Sequence, residues 1–124
     1  MSIRRPEDMH AVFNERFNEG DLDGLLALYE PNAKLAPQPG QEVQGREAIR
    51  TALQGFLALK PRMDLTTRYV LEAGDMAVLS GQWKLTGTGP DGSAVEMGGK
   101  SVEVLRRQPD GTWLYVLDLP FGAD

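Results

Sequence analysis

The spacing of hydrophobic residues changes once along the chain, close to residue 60. Before that point apolar residues recur at intervals of three and four, which is typical of helices with one buried face. This spacing predicts helices over residues 6–19, 22–30 and 45–59. From residue 63 apolar and polar residues alternate, and the alternation predicts strands over residues 64–72, 76–86, 94–107 and 112–119.

The sharpest local signal lies between the first two predicted helices. Gly20 lacks a Cβ atom and can adopt the left-handed conformation that ends a helix. Asp21 follows directly and can cap the next helix by accepting hydrogen bonds from its first free amides. Pro31 is expected to end that second helix. The prolines and glycine of residues 31–44 then predict a short edge strand followed by a mobile loop.

The order of the elements predicts how they pack. Helices that precede a set of antiparallel strands are typical of an α+β domain, in which they cover one face of the sheet. Gly98 and Gly99 lie inside the third predicted strand, where paired glycines allow a bend. We therefore expect one domain over residues 1–124, with three N-terminal helices packed on the concave face of a strongly bent, mostly antiparallel sheet. Such a cone encloses a pocket.

Composition narrows the possible partners. The 124-residue chain has a net charge of −5 and no concentrated basic patch, which argues against nucleic acid as a partner. It has no cysteine and one histidine, so we expect neither a metal site nor a cofactor. No apolar run reaches the roughly 20 residues that span a bilayer, and the N-terminus lacks an apolar signal core. We therefore predict no membrane partner and a cytoplasmic location.

Two acidic residues stand within apolar strands. Glu103 would point into the pocket if the odd-numbered positions of its strand face inward, and Asp118 would share that pocket from the last strand. Burial and mutual repulsion would then raise the pKa of one carboxyl toward neutrality, so that the pair could carry protons. The alternatives are that Glu103 lies on an outer surface, and that Asp118 pairs with Arg68 or Arg107 or caps a backbone group.

Several other side chains are candidates for ligand contact because they lie on faces expected to point inward. They are Phe13, Phe17, Tyr29, Trp83, Met97 and Ser101. The aromatic residues among them could equally belong to the core. His10, the single histidine, is predicted to lie on the surface of the first helix.

Three stretches of the sequence resemble one protein superfamily. They are Asn18–Ala33, the helix start Gly45–Arg50, and the strand and turn Val104–Trp113. Together they look like the nuclear transport factor 2-like superfamily, and in particular like small bacterial proteins related to SnoaL-like polyketide cyclases and ketosteroid isomerases. The resemblance covers about residues 6–121 and implies a cystatin-like α+β barrel with a small-molecule pocket. It implies no single reaction, because members include isomerases, cyclases, dehydratases, hydrolases and proteins that only bind.

The functional groups of ketosteroid isomerase are mostly replaced in this chain. The position of that enzyme's helix-one tyrosine holds Phe13, which has no hydrogen-bond donor, and the position of its general base holds Pro37, which cannot take a proton. Its second oxyanion donor corresponds to Glu103. Ketosteroid isomerisation itself is therefore not expected.

Two functions remain open from the sequence. One is an acid–base isomerase, cyclase or dehydratase that acts on a small hydrophobic carbonyl compound through Glu103 and Asp118. The other is a non-catalytic module that binds a small apolar ligand in the same pocket.

The outer face of the predicted sheet is too apolar for full solvation. It would carry Val78, Val102, Val104 and Leu117. An apolar face of this kind predicts a homodimer that forms through it. The alternative is a monomer in which the terminal segments cover these positions.

Overall fold

The computed structural model describes residues 2–124 as three helices and one seven-stranded sheet. A short 3-10 helix, Pro6–Asp8, precedes the helices α1 (Met9–Asn18), α2 (Leu22–Leu26) and α3 (Arg46–Leu57). The strands are β1 (Tyr29–Gln38), β2 (Gln41–Gln44), β3 (Arg62–Ala73), β4 (Met76–Thr88), β5 (Ala94–Lys100), β6 (Val102–Arg107) and β7 (Trp113–Leu119). The predicted α+β class is confirmed.

The corner between α1 and α2 has the predicted geometry. Gly20 adopts the left-handed conformation with a φ of 69°. The Asp21 carboxylate accepts a hydrogen bond from the backbone N–H of Gly24 at 2.9 Å, which caps the start of α2. The two helices are therefore joined by a tight corner without a longer loop between them.

The segment after this corner differs from the prediction. α2 ends at Leu26 and β1 begins at Tyr29, so Pro31 lies inside a strand instead of ending a helix. The pairing of β1 with β7 shifts register between Tyr29 and Lys34, and a proline is tolerated at such an irregularity because it has no N–H to donate. The predicted loop is also wrong in part, because β2 pairs with β1 across a turn at Gly40.

The third predicted strand is two strands. Its first part, β5, pairs with the second half of β4, and its second part, β6, pairs with the first half of β4. The interruption falls at Ser101, two residues beyond the glycine pair that predicted the bend. β4 is long enough to pair with both β5 and β6. The sheet changes direction at the point along β4 where one partner strand gives way to the other.

The strands follow the order β2-β1-β7-β6-β4-β3, with β5 also paired to β4, and the end strands β2 and β3 do not pair with each other. The sheet is thus curved and open. α1 packs against β3, and α3 packs against β1. No helix within residues 2–124 is long and apolar enough to cross a membrane.

A bulge in β7 decides which side chains reach the inside of the sheet. Tyr115 pairs with Leu105, but Leu117 pairs with the adjacent Val104, so β7 contains one extra residue at this point. The extra residue reverses the alternation of faces. As a result Tyr115 and Asp118, three residues apart, are both buried on the inner face.

Candidate functional site

A cavity of about 70 Å³ lies between the helices and the inner face of the sheet. Aromatic and aliphatic side chains form most of its wall, and Glu103 and Asp118 are the two ionisable carboxyl groups in that wall. The lining residues are Phe13, Phe17, Leu35, Leu53, Phe56, Met63, Leu65, Trp83, Leu85, Glu103, Tyr115, Asp118 and Pro120. The two acids singled out in the sequence therefore meet in one apolar space.

Asp118 is held at the wall by a tyrosine. Its side chain is only 6% exposed, and the Tyr29 hydroxyl donates a hydrogen bond to Oδ2 at 2.5 Å. Glu103 is its direct neighbour on the adjacent strand β6, also only 4% exposed. The proposed pairing of Asp118 with an arginine is wrong. Arg68 donates to the Ser80 hydroxyl, and Arg107 contacts the carboxylate of Asp75 at 2.5 Å.

The surroundings of Asp118 oppose its ionisation. Burial in the apolar wall and the neighbouring negative charge of Glu103 raise its pKa from 3.8 to about 7. The Tyr29 hydrogen bond and the His10 ring act in the opposite direction and limit this rise. Asp118 can therefore gain or lose a proton near neutral pH, which is the property required of a general acid or base.

Glu103 has a different partner. His10 Nε2 lies 2.6 Å from Glu103 Oε1, a distance at which a proton on Nε2 bonds the ionised carboxylate, and His10 Nδ1 lies 2.9 Å from the Thr67 hydroxyl oxygen. His10 is 1% exposed, so the prediction of a surface histidine is wrong. The sequence did contain a signal for this position, because His10, Phe13 and Phe17 are spaced by three and four residues and so share one helix face.

Room for the imidazole comes from a glycine of β4. A Cβ atom added to Gly81 would lie 3.1 Å from His10 Cε1 and 2.8 Å from Leu65 Cδ1. Both separations are shorter than an ordinary van der Waals contact. The absence of a side chain at Gly81 is thus what allows the ring to reach Glu103.

Two tyrosines border the acids. Burial, together with the charges of Glu103 and Asp118, raises the pKa of Tyr29 and Tyr115 well above 10, so both hydroxyls stay protonated at neutral pH. Their rings lie 5.0 Å apart, and Phe13 packs edge-on against Tyr115. Sequence reasoning missed Tyr115, because simple alternation along β7 does not place it on the same face as Asp118.

The other predicted ligand-binding residues divide into two groups. Phe13, Phe17 and Trp83 line the cavity, and Tyr29 lies behind Asp118 without lining it. Met97 and Ser101 do not line the cavity. Ser101 sits where β5 gives way to β6, and its hydroxyl accepts a hydrogen bond from the backbone N–H of Gly81 at 2.9 Å.

The site brings two buried carboxyl groups together with apolar surface. One carboxyl has a pKa near neutrality, the second is hydrogen-bonded to an imidazole, and aromatic rings line the cavity beside both. Within residues 2–124 no group of three or more histidine, aspartate or glutamate side chains is arranged to hold a metal ion.

Comparison with known proteins identifies the family. The sequence profile of the SnoaL-like domain matches residues 10–116. A search of curated proteins finds no match.

Solved structures share the fold at low sequence identity. A conserved protein from Planctomyces limnophilus DSM 3776 is 18% identical with a TM-score of 0.80, over 90% of this chain and 88% of that chain. A ketosteroid isomerase-like protein from Erwinia carotovora atroseptica SCRI1043 is 18% identical with a TM-score of 0.79, over 91% and 90% of the two chains. An NTF2-like protein with a cystatin-like fold from Novosphingobium aromaticivorans is 17% identical with a TM-score of 0.73, over 95% and 80%. The resemblance noted in the sequence is confirmed, and the chain belongs to the SnoaL-like domain family.

Proposed function

We propose that this protein is an acid–base catalyst that transfers a proton on a small hydrophobic carbonyl compound, as an isomerase, cyclase or dehydratase would. The observation that carries the proposal is Asp118, a buried carboxyl with a pKa of about 7 in the wall of an apolar cavity. The SnoaL-like family and its NTF2-like fold include isomerases and dehydratases. A proton carrier in such a cavity fits reactions of that kind.

Asp118 is the proton carrier in this proposal. Its ionised form removes a proton from the carbon next to the carbonyl group, and its neutral form returns the proton at another position. Tyr29 steadies the carboxyl by donating to Oδ2 and leaves Oδ1 for the ligand. A pKa close to the working pH makes both directions of transfer accessible.

Glu103 sets the charge around this carrier. Its carboxyl, bonded to His10, lies beside Asp118 and makes loss of the Asp118 proton less favourable. The Tyr115 hydroxyl stays protonated and forms no hydrogen bond to another side chain in residues 2–124, so it can donate to an oxygen of the ligand. Each group thus has a separate part in one proton transfer.

The apolar wall restricts the ligand. Rings of Phe13, Phe17 and Trp83 contact the cavity and offer flat apolar surface, with few polar groups to hold a sugar or a phosphate. A small, largely hydrophobic molecule with one oxygen acceptor suits this lining.

Deuterium exchange tests the proposal without knowledge of the natural substrate. Small cyclic and aryl ketones are incubated with the protein in heavy water, and deuterium uptake at the carbon next to the carbonyl is followed by proton NMR. Wild-type protein is expected to accelerate uptake for at least one ketone, and Asp118→Asn to reduce that rate by about 100-fold or more, the usual contribution of a general base. Asp75→Asn, at an exposed acid, is the matched control.

The second candidate is a non-catalytic module that binds a small apolar ligand. The almost wholly aromatic and aliphatic lining favours it. Ketones that bind, as shown by shifts in the spectra of the cavity residues, but exchange no faster than in buffer would support this function and contradict catalysis.

We also propose that the chain forms a homodimer through the outer face of its sheet. Leu71, Val78, Val104 and Leu117 are register neighbours across β3, β4, β6 and β7, and form one apolar row. Leu71 is 67% exposed in the single chain. Val104→Glu is expected to convert a dimer to a monomer in sedimentation, whereas a wild-type protein that sediments as a monomer would contradict the proposal.

A further inference from the structure

His10 is buried beneath the sheet, yet its ring connects the cavity to the surface. Nε2 bonds Glu103, which lines the cavity, and Nδ1 lies 2.9 Å from the hydroxyl of Thr67. Thr67 belongs to the exposed residues of β3. Three side chains therefore form one unbroken line of hydrogen bonds from an exposed residue of β3 to the cavity wall.

We propose that Thr67, His10 and Glu103 form a proton path through which the Glu103 carboxyl in the cavity wall exchanges protons with solvent on the β3 side of the molecule. The inference rests on the proposed function in one respect, namely that Asp118, the neighbour of Glu103, carries protons. A path of this kind has a clear use. It lets Glu103, whose charge acts on Asp118, regain its protonation state while an apolar ligand fills the cavity and keeps water out.

Thr67, His10 and Glu103 can together give and accept every proton that the transfer requires. At rest Nε2–H donates to the Glu103 carboxylate and the Thr67 hydroxyl donates to Nδ1. A proton is taken up when the Thr67 proton moves to Nδ1 and the Thr67 oxygen takes a proton from hydronium at the surface. The imidazolium then passes its Nε2 proton to Glu103 Oε1.

The net result is one proton moved from solvent to Glu103, with a neutral imidazole that keeps its proton on Nδ1. The same bonds operated in reverse return the proton to solvent. The path therefore equilibrates the acid with solvent, and the ring does not need to rotate.

The packing keeps the ring in this orientation. Gly81 of β4 leaves room for the imidazole, and a Cβ atom there would lie 3.1 Å from Cε1. The ionisable groups near the inner end of the path are Glu103 on β6, Asp118 on β7 and the tyrosines 29 and 115, whereas the outer end is the neutral Thr67. At the outer end, Arg68 follows Thr67 on β3 and donates a hydrogen bond to the Ser80 hydroxyl.

The single histidine of the chain makes the path directly measurable. Protein with isotopically labelled histidine gives the ring signals of His10 alone. NMR relaxation dispersion of the ring nitrogens then measures the proton-exchange rate at Nδ1, that is, how fast this atom gains and loses a proton. The experiment compares wild type with Thr67→Val, which keeps the shape of the side chain but removes the hydroxyl, and with Thr67→Ser, which keeps the hydroxyl. The backbone amide of Leu79, in the fully buried part of β4, reports any general opening of the fold.

Thr67→Val is expected to slow proton exchange at Nδ1 by about tenfold or more, since it removes the hydroxyl that bonds this atom, while Thr67→Ser stays within about threefold of wild type. Equal exchange in wild type and Thr67→Val, with unchanged protection of Leu79, would overturn the path. So would a slowing of the same size in Thr67→Ser.

This experiment uses no substrate, so its outcome is separate from that of the ketone assay. Slowed exchange in Thr67→Val together with no ketone turnover would keep the proton path and reject the proposed catalysis. Ketone turnover that needs Asp118, together with unchanged exchange in Thr67→Val, would do the reverse.

Discussion

Replacement of Asp118 by asparagine should change how stability depends on pH. The pKa of Asp118 is raised to about 7 in the folded protein, against about 3.8 for the same carboxyl in the unfolded chain. A carboxyl whose pKa is raised by folding contributes stability that is fully present below pH 4 and is lost as the pH rises through 7. The amide side chain of the Asp118→Asn variant cannot ionise, so the variant should lack this loss.

The size of the effect follows from the pKa difference. A gap of about 3 pKa units, at about 1.4 kcal/mol for each unit, corresponds to about 4 kcal/mol lost by wild type well above pH 7. Roughly 1 to 2 kcal/mol of this is already lost at pH 5. The stability of Asp118→Asn relative to wild type should therefore rise by about 3 kcal/mol between pH 5 and pH 9.

Urea denaturation at several pH values provides the assay, with fluorescence of the two tryptophans as the signal. Both proteins share every other titrating group, so the difference between them reports the ionisation of Asp118 together with its coupling to Glu103. Asp75→Asn, at a carboxyl 68% exposed, is the matched control and should keep the wild-type dependence. A difference between Asp118→Asn and wild type that stays constant within about 1 kcal/mol from pH 5 to pH 9 would show that folding does not raise the pKa of Asp118.

Three further changes test individual contacts of the site. Tyr29→Phe removes a hydrogen bond that favours the ionised carboxyl, so it should raise the pKa of Asp118 above 7. This pKa is read from the side-chain carboxyl carbon of Asp118 in NMR, and an unchanged or lower value would contradict a stabilising role of the Tyr29 hydroxyl. Glu103→Gln should lower the pKa of Asp118 by about two units, since two charges about 5 Å apart at an effective dielectric of about 20 repel by about 3 kcal/mol. A pKa that stays at about 7 in this variant would show that burial alone raises it. Gly81→Ala should destabilise the fold by about 1 to 3 kcal/mol in urea denaturation and displace His10. The control Gly55→Ala should do neither, because the space around Gly55 is open. Equal stability of the two variants would contradict the tight packing of His10 against Gly81.

Much of the fold could be predicted because short-range signals decided it. Gly20 and Asp21 specify a helix end and a helix cap, and the alternation along β4 shows which of its faces is buried. The stretch from Tyr29 to Gln44 was less predictable. The strand character of β1 comes from pairing with β7, which is distant in sequence, and this pairing overrides the local effect of Pro31, while β2 in turn pairs with β1.

The candidate site was predictable only in part, for a similar reason. Glu103 and Asp118 could be recognised in the sequence as acids within apolar strands, where an unpaired buried charge is unfavourable. Their partners were not visible, because the contact of Glu103 with His10 joins residues 93 positions apart and depends on the space left by Gly81. The place of Tyr115 depends on a bulge that no local residue signals.

The proposed role of Asp118 as a proton carrier depends above all on its pKa. It can be measured by NMR titration of the side-chain carboxyl carbon in the wild-type protein, with Asp118→Asn to assign the signal. We expect a midpoint at about 7, caused first by burial and then by the charge of Glu103. A midpoint near 3.8 would mean that the carboxyl is ionised throughout the neutral range, and it would contradict the role of Asp118 as a proton carrier.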